Sequence, residues 1–87
     1  MTRDTEIVLK KNLDVTDLAG DKVMIDFESG KYFMIKGVGN DIWDMIQEKT
    51  TVGAIIDGLL KEYEVPEDVC EREVIAFLEK MASYEFI

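Results

Sequence analysis

Between two lysines the chain runs Tyr32-Phe33-Met34-Ile35, four apolar side chains in succession. Successive side chains of a strand point to opposite faces, so a sheet with one wet face alternates apolar and polar. This segment does not alternate. It needs cover on both faces, or a partner from outside the chain. A chain of 87 residues buries only about 60–65% of its unfolded surface, enough for one modest core. Covering both faces of a strand with so little material is difficult, so the segment raises the question of what lies against it.

Charge and composition remove several kinds of answer. Ten Lys and Arg against nineteen Asp and Glu give a net charge of −9, which repels nucleic-acid phosphates and anionic lipid and mildly favours basic partners. Histidine is absent from the sequence, which removes the commonest general base and the commonest metal ligand. Cys70 is the one cysteine; it forms no disulfide framework and no thiolate metal motif, and without a histidine to activate it, it reads as a small buried hydrophobe. Gly37 and Gly39 lack the rest of any nucleotide fingerprint. Acidic pairs such as Glu71/Glu73 and Asp41/Asp44 read as solvated helix faces. The expectation is a non-enzyme with no cofactor, no metal, no nucleic acid and no membrane as partner. No apolar run reaches the ~20 residues of a membrane span and the N-terminus has no signal-peptide core, so a cytoplasmic location is expected.

Periodicity divides the chain into strands and then helices. Residues 13–19, 22–28 and 31–37 read as three strands of an antiparallel meander, turning at Gly20-Asp21 and at Ser29-Gly30. For the second hairpin, a three-residue loop Glu28-Ser29-Gly30 with Gly30 left-handed pairs Ile25 with Phe33 and Val23 with Ile35. That register gathers Val23, Ile25, Phe27, Phe33 and Ile35 on one core face and leaves Met24, Asp26, Tyr32 and Met34 on the other. Three helices follow. The first covers 38–49, with Ile42, Met45 and Ile46 in phase and Trp43 as a core residue. The second begins at an N-cap Thr51, and the third at Pro66 with Glu67 and Asp68 in its first turn. Gly53 and Gly58 weaken the second helix by up to ~1 kcal/mol each. The third buries Cys70, Val74, Phe77, Leu78 and Met81. The fold class expected is α+β, winged helix-turn-helix-like, a three-stranded antiparallel sheet followed by three helices. One domain is expected over residues 1–87, with residues 1–12 as a flexible or extended lead-in.

The order of these pieces resembles a known family. The stretch VMIDFESGKYFMIKGVGNDIW is similar to the pattern V-x-L-D-x-E-S/T-G-x-Y-Y/F-x-L-N-x-V-G-x-x-I-W of PqqD-like proteins, and TVGAIIDGLLKEYEVPEDVCEREVIAFLEKM matches that family's later spacing. The resemblance covers about residues 13–87. Its members are leader-peptide recognition elements for ribosomally made, post-translationally modified peptides (RiPPs). It implies a winged-helix-like domain that binds a precursor's leader as an extra strand between the third strand and the third helix. Small free-standing members accompany lasso-peptide machinery, and others serve radical SAM maturation enzymes. The implied partners are the precursor leader and a leader peptidase or other modifying enzyme, with the protein itself a monomer. Three positions depart from the pattern. Lys36 stands where Asn usually caps the first helix, Met34 replaces a commonly small residue, and Ala54 replaces the Glu that would complete a capping box with Thr51.

The physics of the strand supports the same partner independently. The third strand ends the meander, so its outer edge carries unpaired N–H and C=O groups. Proteins blunt such edges with charge, proline or a bulge, and residues 32–35 contain none of these. Either the edge is covered by a helix or by the N-terminal TEIVLKKN segment, or it accepts a strand from another molecule. On a helical wheel of the third helix, Val69, Glu73, Ala76, Phe77 and Lys80 share one shoulder of the core face. Core packing accounts for Phe77 as well as groove contact does, and Glu73 and Lys80 also suit a solvated surface. The candidate peptide-binding set is therefore Tyr32, Phe33, Met34, Ile35 and Lys36 with Val69, Glu73, Ala76, Phe77 and Lys80. A winged-helix DNA-binding regulator is the reading from another class, and an acidic third helix argues against it.

Overall fold

The computed structural model describes residues 1–11 and 13–87; Asn12, the last residue of the expected lead-in, lies outside them. The element order is β1 (Glu6–Ile7), β2 (Asp14–Leu18), β3 (Asp21–Asp26), β4 (Lys31–Ile35), α1 (Val38–Met45), β5 (Thr50–Thr51), α2 (Val52–Glu62) and α3 (Glu67–Ser83). The α+β class and the meander followed by three helices are as the sequence indicates. Strands β2, β3 and β4 lie side by side in that order.

The register of the second hairpin differs from expectation by one residue. Ile25 pairs with Tyr32 and Met24 with Phe33, so the loop holds four residues, Phe27–Gly30, and not three. Gly30 is left-handed as expected, at φ 71°, and its N–H donates to the Asp26 carbonyl at 2.9 Å. The slip has a chemical cause. The Asp26 carboxylate accepts from the Glu28 amide at 3.1 Å and from the Ser29 hydroxyl at 3.0 Å, the side-chain turn that Asp favours. Lys11 Nζ lies 3.4 Å from the same group. A polar residue thereby satisfied can face inward, and Asp26 is buried at 5% exposure. The inner face of β3 is consequently Met24 and Asp26, while Val23, Ile25 and Phe27, expected in the core, stand outside it. The faces of β4 are as read from the sequence: Ile35 is buried and Phe33 half-buried, with Tyr32 and Met34 exposed.

The first helix ends at Met45, four residues short of the expected 49. Thr50–Thr51 instead runs extended as β5 and pairs antiparallel with Glu6–Ile7, which no helical turn could do. Thr51 then caps α2 as anticipated, accepting from the Ala54 amide at 3.1 Å. The glycines of α2 are explained by neighbours. A Cβ on Gly53 would come within 3.1 Å of the Arg3 carbonyl, and one on Gly58 within 3.0 Å of Met45 Cε.

The core joins Ile7, Met24 and Ile35 to Ile42, Trp43, Ile46, Val52, Ile55, Ile56, Leu59, Cys70, Val74, Leu78 and Met81. Phe86 completes it from beyond Ser83, the last residue of α3. Helix α3 stops in a Schellman motif: the Phe86 amide donates to the Met81 carbonyl and the Glu85 amide to that of Ala82, with Glu85 left-handed at φ 63° and Met81 and Phe86 buried together. The turned tail brings Phe86 edge-on to Phe33 at 5.1 Å and Tyr84 to the same ring at 4.5 Å.

Candidate functional site

The outer edge of β4 has no strand beside it among the described residues. The N-terminal segment, one of the two internal covers open to it, is occupied elsewhere. Its backbone bonds to α2 through Thr5 and Arg3 carbonyls, which accept from the Val52 and Gly53 amides at 3.1 and 2.8 Å. The Arg3 guanidinium is held above its ordinary pKa by the hydrogen bond to Asp57 at 2.7 Å, against a desolvation cost and with further help from Asp57 and Glu67.

Facing the β4 edge across an open groove of about 390 Å³ is the C-terminal half of α3. Tyr32, Phe33, Met34, Ile35 and Lys36 form one wall, and Phe77, Lys80, Met81 and Tyr84 the other. Seven of the ten residues singled out from the sequence thus line one groove. Val69 and Glu73 do not; they line a separate apolar pocket of about 150 Å³ with Val38, Leu59, Tyr63, Val65, Cys70 and Val74. Ala76 lies exposed on α3 and lines neither. The shoulder drawn on the helical wheel is therefore divided along its length, because α1 meets α3 between the two hollows.

Gly39 marks that meeting. A Cβ there would lie 2.9 Å from Ile35 Cγ2 and 3.0 Å from Phe77 Cε2. Phe77 is consequently a packing residue and a groove wall at once. Met81 and Tyr84 belong to the groove without having been singled out for it. Met81 was legible only as core, and Tyr84 takes its position from the Schellman turn.

The groove reverses the sign of the chain. Its lining carries Lys36 and Lys80 and no carboxylate, although the protein bears −9 overall. Cys70 lies away from it, and burial, then the nearby Glu73 and Glu67, push its thiol pKa up, so it stays protonated and unreactive at neutral pH. Among the described residues no three His, Cys, Asp or Glu side chains gather as a metal site, and no helix is long and apolar enough to cross a membrane. Unpaired strand backbone groups, the side chains of Phe33, Phe77, Met81 and Tyr84 along the walls, and two cations make a surface suited to an extended peptide.

Residues 21–87 match the family model described as Coenzyme PQQ synthesis protein D (PqqD). No curated protein sequence matches the chain. Among solved structures, the chain is similar to TbiB1 in complex with the TbiA(beta) leader peptide, at 25% identity and a TM-score of 0.82 over 92% of this chain and 93% of that one.

Proposed function

From the premise that this chain belongs to the PqqD family, we propose that it is a leader-peptide-binding adaptor of RiPP maturation, one non-catalytic, monomeric, cytoplasmic domain. The observation that carries this reading is the unpaired β4 edge facing α3 across a groove. A leader entering there adds a fourth strand, its backbone bonding to β4 and alternate side chains packing on Phe77 and Met81. The similar fold of TbiB1, solved with a leader peptide, supports the same use of the chain. Lys36 and Lys80 favour an acidic stretch of leader, the opposite of what net charge suggests. Binding in the micromolar to nanomolar range, about −8 to −12 kcal/mol, is within reach of a short strand with two or three anchored side chains. The bound precursor is then presented to its leader peptidase, in a lasso-peptide pathway.

The description of the matching family, a coenzyme PQQ synthesis protein, favours a second destination for the same complex, a radical SAM maturation enzyme. The gene beside the precursor decides between them: a peptidase with an ATP-dependent cyclase, or a radical SAM enzyme. A winged-helix DNA-binding role fits poorly with a chain of charge −9.

The test is a titration of the isotopically labelled protein with the precursor leader, read from backbone amide shifts. Shifts should concentrate at residues 32–36 and at Phe77, Lys80, Met81 and Tyr84. Binding that leaves these residues unmoved would overturn the reading. A folded Met34→Pro variant, which lacks one strand N–H, should lose affinity; unchanged affinity would refute strand addition.

A further inference from the structure

A strand added to β4 sends alternate side chains into the groove and the others to the opposite face of the sheet. The groove set packs on Phe77 and Met81; the outward set needs a neighbour of its own. On a sheet with one wet face such side chains are ordinarily polar, but the row they would join here is apolar. Ile25 pairs directly with Tyr32 and Val23 with Met34, and Tyr32 is 75% exposed and Met34 55%. Each has an apolar neighbour on its β3 flank and, among the described residues, no strand on the other. Both also line the groove, so a leader lying there runs alongside them.

We infer that Tyr32 and Met34 read the leader from outside the groove, selecting β-branched or aromatic side chains at two leader positions spaced two apart. This deepens the adaptor reading and rests on it. Side chains directly opposite on neighbouring strands lie about 4.5–5.5 Å apart, and aromatic and β-branched pairs attract. Ile25 beside Tyr32 is already such a pair. The leader residue on the free flank of Tyr32 extends that row to three strands, and the one beside Met34 extends the row begun by Val23. The spacing of two is the strand period and holds whichever way the leader runs.

The outward row also helps to set the register. Along it the residues run Gly30, Tyr32, Met34 and Lys36, so two apolar side chains stand between a glycine and a cation. A leader that slides by two residues keeps its faces but carries one outward apolar residue beside Gly30, which has no side chain, or beside Lys36. Register in a sheet follows the apolar pattern of such rows. A leader read in this way leaves the groove at one fixed point, and the rest of the precursor is held at one fixed distance from the adaptor.

The experiment titrates a synthetic leader of the precursor, with no enzyme present. Nuclear Overhauser contacts to the side chains of Tyr32 and Met34 identify the leader positions beside them. Changing either of those leader residues to Ala should weaken binding to the wild type by about 1.5- to fivefold. In Tyr32→Ala/Met34→Ala the same leader changes should have no effect, while alanine at the groove positions costs as much as in the wild type. Tyr32→Phe in place of Tyr32→Ala keeps the ring and should restore the sensitivity at its position. Equal sensitivity in the wild type and the double variant would overturn the inference, and so would polar residues at both leader positions. A Tyr32→Phe protein that behaves as the alanine variant would also overturn it, because the hydroxyl and not the ring would then make the contact. A leader that does not bind the wild type, or binds with residues 32–36 unmoved, overturns the adaptor reading itself. One that binds there without this coupling overturns the inference alone.

Discussion

Asp26 makes the β3–β4 hairpin sensitive to acid. Burial pushes its carboxyl pKa up, but the hydrogen bonds from Ser29, the Glu28 amide and Lys11 together outweigh that, and the net position is below the ordinary value. A carboxyl depressed in the folded state contributes stability that is complete above its unfolded pKa of about 3.9 and is lost as pH falls through the folded value. The melting temperature should therefore drop as pH falls below about 4. Asp26→Asn should lower it at neutral pH and flatten that acid slope, as a series of thermal melts would show. At the other end of the chain, Glu85 occupies the left-handed position of a Schellman motif, where glycine is ordinarily found. Glu85→Gly should stabilise the fold by about 1 kcal/mol, measured by urea denaturation. These two residues also mark where single positions are legible. Thr51 could be read as a cap because its acceptor serves an amide three residues away. Asp26 could not, because one of its donors is Lys11, fifteen residues distant, and counting apolar residues per face assigned it outward. Glu85 carries no signal at all, since nothing in a glutamate announces a left-handed turn.

Among elements, β4 is the one most fully readable. Its inner pair, Phe33 and Ile35, was read correctly through a hairpin register that set β3 one residue out. The faces of β3 were not readable from pattern, because Val23, Met24 and Ile25 are apolar in succession and the loop chemistry decided among them. Helix α3 was read correctly as to its core stripe but not as to what its shoulder faces. That depends on where α1 crosses it, and the crossing is set by a missing side chain at Gly39. Gly39→Ala would press a methyl group against Ile35 and Phe77. Overpacking of this sort costs about 1–3 kcal/mol. Because Phe77 is a groove wall, leader affinity should fall by about tenfold, or ~1.4 kcal/mol, in the same variant. Melting curves and a peptide titration would check the pair; loss of stability with full affinity would mean that Phe77 does not shape the groove.

Across the molecule, the strand-then-helix order was legible from period alone, while the clasp formed by the chain's beginning was not. Strands of two residues, such as Glu6–Ile7 and Thr50–Thr51, have no period to detect. Yet that clasp secures α2 and places Ile7 in the core. Ile7→Ala should cost about 2–4 kcal/mol and lower the melting temperature by about 10 °C or more. The groove lies elsewhere, so peptide affinity measured well below the melting point should be unchanged. Trp43, finally, is buried in the core and off the groove, whereas Tyr32 and Tyr84 stand on its walls. As the sequence holds one tryptophan, its emission, excited where tyrosine does not absorb, should follow unfolding, while filling the groove should change the environment of Tyr32 and Tyr84.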